Sequence, residues 1–321
     1  MRVAFVGKGG SGKTTLSALF ARYTASRGGP VVAVDADINQ HLGMALGLAE
    51  GALPRPMGSH LTEIKEYLRG DNPRISSAAA MVKTTPPGAG SRLLRLDERD
   101  DPIHTGFSVA TAEGPRLMVT GPFSEDDLGV ACYHSKVGAV ELYLNHLLDG
   151  AGEYVVVDMT AGADSFASGL FTRFDMTFLV AEPTRQGVSV YRQYRDYAAD
   201  YGVPIAVVGN KIHGPGDVAF LRDQVGDDLL VCLEHSSAIR AMEQGRPFTL
   251  RDLEPANSQA LGTLLDHLDS QEKDWFRFGR QAVQFHLRNA EVWANRATGE
   301  DLAAQIDPGF VFGPTRVSLS R

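Results

Sequence analysis

The sequence predicts a doubly wound α/β fold with a mostly parallel sheet, on three observations. Short apolar runs recur along the 321 residues: "VAFV" (3–6), "VVAVD" (31–35), "YVVVD" (154–158), "TFLVA" (177–181), "IAVVG" (205–209) and "LLVCL" (229–233). Few polar residues interrupt them, as expected of strands covered on both faces. Stretches of helical periodicity separate most of these runs, among them Leu16 to Arg27 and Val188 to Tyr201. The first run ends in a glycine-rich loop, which is the join expected between a strand and a helix.

Taken in order, residues 3–6 supply the first strand, and the first helix follows the glycine loop. Residues 107–121, "FSVATAEGPRLMVTG", differ from the other runs. Two strands flank "EGP", which predicts a β-hairpin at the sheet edge. Residues 84–102, "TTPPGAGSRLLRLDERDDP", collect Pro, Gly and charge and read as a surface excursion inside the domain. Beyond about residue 270 the pattern changes to a charged, aromatic helix, "EKDWFRFGRQAVQFHLRNAEVWANRA", and a tail containing "DPGFVFGPT". The main domain is therefore expected over 1–268. A C-terminal helical extension is expected over 269–321, packed on the domain or on a dimer partner. Trp275, Phe278, Ala282, Phe285 and Val292 fall near one helical face, beside Arg277, Arg280 and Arg288. Such a stripe suits protein packing. Contact with a membrane surface is the minor reading.

Composition narrows the function classes. With 43% hydrophobic and 22% charged residues, the chain has a globular composition. A formal net charge of -8 argues against a surface built for nucleic acid. Cys132 and Cys232 are the only cysteines and lie in different predicted elements, which suits a reducing compartment. The short apolar start does not read as a signal peptide, and no apolar run approaches the roughly 20 residues that span a bilayer. A cytoplasmic location is expected.

Gly7 to Thr14 matches G-x-x-x-x-G-K-[ST], between a strand and a helix as that motif requires. Gly7, Gly9, Gly10, Ser11 and Gly12 let backbone N–H groups curl round a β-phosphate, with Thr15 in the first helical turn beyond. Lys13 is expected to reach the β- and γ-phosphates, and the Thr14 hydroxyl to ligate Mg²⁺. These assignments predict a P-loop NTPase.

Lys8 is the unusual element. "KGGSGKTT" resembles the deviant phosphate loop of a family of ATPases. Its members include the nitrogenase iron protein, the chromosome-partition and septum-positioning ATPases, the arsenite and tail-anchored-protein ATPases, and metal-centre maturation factors. In that family the early lysine crosses a dimer interface to the nucleotide of the other subunit, so the resemblance implies an ATP-bound homodimer with Lys8 acting in trans. "VDADINQHL" (34–42) resembles the first switch, which gives Asp37 the attacking water and Asp35 a supporting place near Mg²⁺. Read alone, either aspartate could instead cap the next helix. "VVVDMTAGAD" (155–164) resembles the second switch, with Asp158 holding Mg²⁺ through water and Gly162 admitting the γ-phosphate. "VVGNKI" (207–212) and "VAEPT" (180–184) match base-side elements, implicating Asn210, Lys211, Glu182 and Pro183. Asn210 could equally stabilise a turn.

Across about residues 1–268 the order of these motifs is most similar to the nickel-insertion ATPases of carbon monoxide dehydrogenase maturation. Those proteins carry a C-x-C pair that meets its copy across the dimer to hold a metal. Here the corresponding stretch, "GVACYHSKVGAVELYLNHL" (129–147), gives Cys132-x-His134. Two copies would furnish a Cys₂His₂ set suited to Zn²⁺ or Ni²⁺. The plainer reading makes Cys132 a small apolar residue near a helix start. The expected function is an Mg²⁺-dependent ATPase with a protein client, acting as a metal-centre maturation factor or metallochaperone. The rival is a nucleotide-gated interaction switch acting on a protein partner or a membrane.

Overall fold

The computed structural model describes residues 1–314, apart from 50, 99, 123–132 and 167. Among the described residues an eight-stranded sheet forms the centre. Its strands are β1 (Arg2–Gly7), β2 (Val31–Ala36), β3 (Val109–Ala110), β4 (Arg116–Val119), β5 (Tyr154–Met159), β6 (Met176–Ala181), β7 (Ile205–Ile212) and β8 (Leu229–Glu234). The spatial order is β8-β7-β6-β1-β5-β2-β4-β3. Every pairing is parallel except that of β3 with β4, an antiparallel edge hairpin in which Val109 faces Leu117. The expected doubly wound sheet and its edge hairpin are both present.

The apolar runs are uniform because the sheet has a core on each face. Val3, Phe5, Ala33, Val156 and Phe178 pack on one side with α1 (Lys13–Ala25). Ala4, Val6, Val34, Val155 and Val157 pack on the other with α2 (Tyr133–His146). Successive strand residues point to opposite faces, so a strand buried on both sides shows no alternation. Beyond β6 come α3 (Ser189–Ala199), α4 (Pro215–Val225), α5 (Ser237–Glu243) and α6 (Pro255–Asp269). The extension begins with α7 (Trp275–Asn289).

Two details differ from expectation. Residues 84–102 are not a purely superficial excursion. Thr84, Thr85, Leu94 and Leu96 are buried, and Leu94–Arg95 pairs in parallel with Leu147–Leu148. Pro and Gly turn the chain there, while the leucines between the turns reach the core. Val292 also leaves the predicted stripe: Phe278, Ala282 and Phe285 are buried, but Val292 is 68% exposed. The helix passes into a π-turn at Ala290–Ala294, and the extra residue in that turn rotates Val292 off the buried face.

The α7 helix is fastened by buried charge as well as by aromatic contact. Lys273, just before it, pairs with Asp149 at 2.7 Å and also with Asp175. Arg2 on β1 pairs with the same Asp149 at 2.8 Å, and its backbone N–H donates to Asp175. The Arg277 guanidinium donates to Phe174 O at 2.9 Å.

Candidate active site

The carboxyl ends of β1, β2 and β5 meet at the start of α1, which is where an open parallel sheet holds its ligands. β1 runs into the glycine loop and α1 begins at Lys13 with no side-chain cap. The first N–H groups of a helix have no intrahelical partner, so this end presents donors and a positive dipole to an anion. Gly12 cannot be another residue without strain. Its φ is 91°, and a Cβ there would lie 2.3 Å from Asn210 Nδ2. Gly7 is confined by close approach, since a Cβ would lie 2.6 Å from Val180 O.

Four of the expected residues converge. Lys13 Nζ lies 2.6 Å from Asp37 Oδ2 and 3.8 Å from Asp158 Oδ1. Thr14 Oγ1 donates to Asp158 Oδ2 at 2.6 Å. Asp37 Oδ1 accepts from Asn39 N and Asn39 Nδ2, so the loop after β2 fixes its orientation. Burial opposes the Lys13 charge, but Asp158 and Asp37 outweigh it and hold the ammonium above the ordinary lysine value. Burial likewise opposes ionisation of Asp37, yet Lys13 and Asn39 pull that carboxyl below its usual range. Ion pairing wins in both cases.

Asp35 and Asp158 face each other in the register of β2 and β5, and neither has measurable exposure. Burial, then the Asp158 charge, pushes Asp35 up, although Asp37 N and Leu42 N donate to its two oxygens. Burial also raises Asp158, against the pull of Lys13. The buried Asp158 carboxylate and the Thr14 hydroxyl hydrogen-bonded to it offer oxygen donors of the kind that fit Mg²⁺. Both Asp35 oxygens are engaged by backbone, so its visible work is to shape the turn between Asp37 and Leu42.

The residues expected on the base side grip the loop from the other flank. Asn210 Nδ2 donates to Ser11 O at 2.7 Å. Lys211, at φ 58°, donates through Nζ to Gly10 O and to Glu182 Oε1, each at 2.6 Å, and the half-buried Pro183 follows. Thr15 Oγ1 donates to Glu243 at 2.9 Å. Lys8 stands apart at the rim, donating to Gln186 Oε1 at 2.6 Å, and Gly9 and Gly10 beside it are exposed. Gly162, at φ 71°, opens a 3₁₀ turn after β5, with open space where a Cβ would be.

Sequence reasoning missed one wall of the site. A cavity of about 240 Å³ next to Gly12, Thr15 and Asn210 is closed by Glu234 at the end of β8, His235 and Ser236 in the loop after it, and Arg240 on α5. Ser236 caps α5 through Ile239 N. The available signal was positional, since this loop follows the last apolar run and so lies at a strand's carboxyl end. Cys132 and the His134 side chain lie outside the described residues. Among the described residues no group of three or more His, Cys, Asp or Glu side chains could hold a metal ion. None of the described helices is long and apolar enough to cross a membrane.

The family model described as the CobQ/CobB/MinD/ParA nucleotide binding domain matches residues 3–309. The carbon monoxide dehydrogenase accessory protein CooC of Rhodospirillum rubrum is 31% identical over 258 residues, which is 80% of this chain and 91% of that protein. A chain of the MinC:MinD cell division protein complex of Aquifex aeolicus superposes with a TM-score of 0.54 at 18% identity, covering 85% of this chain and 97% of that one. The septum site-determining protein MinD of Pyrococcus horikoshii, complexed with Mg-ADP, gives 0.53 at 17% identity, covering 84% and 96%. At such identities the two solved structures speak for the fold alone.

Proposed function

Since the chain belongs to the CobQ/CobB/MinD/ParA nucleotide-binding family, we propose that it is an Mg²⁺-dependent ATPase that dimerises around two ATP molecules and serves in maturing a metal centre. The observation that carries the ATPase reading is the convergence of Lys13, Thr14, Asp37 and Asp158 on one helix N-terminus. Phosphoryl transfer needs little covalent chemistry from a protein, so positioning and charge supply most of the rate. Lys13 neutralises charge on the transferred group, and the partner's Lys8 does so from across the interface. Asp37 orients the attacking water. Thr14 and Asp158 would hold Mg²⁺, directly and through water, and the ion supplies positive charge to the phosphate oxygens when bound. Gly162 admits the γ-phosphate, and Asn210, Lys211, Glu182 and Pro183 flank the base.

The metal-centre part of the reading is supported by similarity to the carbon monoxide dehydrogenase accessory protein, with Cys132 and His134 of two subunits as the Zn²⁺ or Ni²⁺ ligands. One observation favours a second reading, a nucleotide-gated switch for a protein partner. Ile38, beside Asp37, is an exposed apolar side chain, as are Met44 and Leu53 nearby in sequence. Such side chains suit a partner whose docking follows the loop's state. Mass and metal content, measured with and without a non-hydrolysable ATP analogue, separate the two. A nucleotide-dependent dimer with one transition metal per pair supports the maturation factor. A metal-free dimer supports the switch, and a monomer under all conditions overturns both.

A further inference from the structure

A second cavity lies in the C-terminal extension. There α7 and residues 306–312 close a space of about 500 Å³ against Pro86 and Pro87. Its walls are apolar, formed by Trp275, Phe278, Val283, Ile306, Phe310 and Phe312. This volume is typical of small-molecule sites, which pair apolar walls with a few placed polar groups.

The placed group here is Arg173, which lines the cavity while only 2% exposed. Its hydrogen bonds go to neutral acceptors: Thr172 Oγ1 from Nε and Nη2, Asn145 Oδ1 and Phe278 O from Nη1. A guanidinium has five N–H donors, and these contacts use four. Arg173 forms no ion pair with any described residue, and a buried cation without a counter-ion is costly. Glu141 acts on it only through space, and burial holds that carboxyl towards its neutral form.

The surroundings add more positive charge. Arg280 is exposed and lines the same cavity, and the Arg277 guanidinium lies 4.8 Å from the centre of the Phe278 ring, whereas Arg2 beside that ring is already paired with Asp149. The acids close by are committed elsewhere. Asp149 pairs with Arg2 and Lys273, Asp175 pairs with Lys273, and Asp274 caps α7 through Arg277 N; Asp307 also lines the cavity, with its two carboxylate oxygens accepting from Ala89 N and Gly309 N.

We propose that this cavity binds a free long-chain monocarboxylic acid, with its alkyl chain on the aromatic wall and its carboxylate at Arg173. A peptide fits less well, because its backbone N–H and C=O groups would go unpaired against these walls. An acyl chain anchored in a bilayer fits less well too. The cation is buried, so the acidic head has to enter first, whereas a membrane lipid presents its head at the bilayer surface.

Calorimetric titration of the full chain with dodecanoate and with methyl dodecanoate tests the site. One acid per chain is expected, bound roughly ten- to a hundredfold more tightly than the ester, which is what a hydrogen bond to a charged group contributes. Arg173→Met should bring the two affinities together. If that variant does not fold, Val283→Trp fills the cavity from a half-buried wall position and should abolish acid binding while ADP binding persists. Equal affinities for acid and ester would overturn the proposal, as would unchanged binding in Val283→Trp or the absence of saturable binding. Binding to phosphatidylglycerol vesicles without binding to the free acid would assign the surface to a membrane instead. Binding that appears only once residues 315–321 are deleted would assign the cavity to the chain's own end.

Discussion

Replacing Gly12 with alanine measures how firmly the phosphate loop is held from the Asn210 flank. The residue sits at φ 91°, and the new Cβ would lie 2.3 Å from Asn210 Nδ2. A left-handed backbone costs a residue with a Cβ about 1–2 kcal/mol. Asn210 also has to withdraw, losing its 2.7 Å hydrogen bond to Ser11 O. A bond of that kind is worth about 1 kcal/mol. The expected destabilisation is roughly 2–3 kcal/mol, accompanied by weaker ADP binding. Asn210→Ala alone should lose only the hydrogen-bond part. The double variant should resemble Gly12→Ala, because the same bond is lost once, and a double-mutant cycle exposes that coupling. Urea unfolding followed by circular dichroism, at constant slope, gives the three values. A loss below about 1 kcal/mol for Gly12→Ala, or strict additivity in the double variant, would refute the reasoning.

Three further outcomes are expected from the geometry. Asp37→Asn should lower kcat by roughly 100- to 1000-fold with nucleotide affinity nearly kept, measured by phosphate release; an unchanged kcat removes Asp37 from the chemistry. Lys8→Ala should keep ATP binding and lose both turnover and the nucleotide-dependent dimer, read by light scattering, and wild-type hydrolysis in that variant would end the trans-acting assignment. Glu141 is 2% exposed, and burial raises its carboxyl from 4.5 to about 7. A carboxyl raised by folding contributes stability that is complete below about 4.5 and lost as pH climbs to about 7, roughly 3 kcal/mol across the window. The wild type should therefore lose stability relative to Glu141→Gln over that range, and a flat difference would mean the carboxyl titrates normally.

The strands were legible because each is sealed on two faces, so "VAFV" and "YVVVD" announce themselves without knowledge of their neighbours. Their spatial order was not legible, since Val3 and Val156 are interchangeable as apolar residues and nothing in either says that β1 lies between β5 and β6. Lys13, Thr14, Asp37 and Asp158 could be read together because each follows or ends a strand whose carboxyl edge is shared. His235 and Ser236 escaped notice because they belong to no motif and gain their position only when β8 docks beside β7. Leu94 and Leu96 were hidden by the prolines and glycines before them. Val292 was misplaced because a period of 3.6 residues holds only until the helix changes its hydrogen-bond pattern at Ala290.

Lys273 and Arg2 share Asp149, and both also contact Asp175, so the opening strand and the long helix of the extension are soldered at one joint. Truncation near residue 270 would subtract more than a helix: Arg2 would be left facing two acids, with the shelter of Phe278 stripped away. Melting should accordingly register as a single transition in which β1 and α7 are lost together.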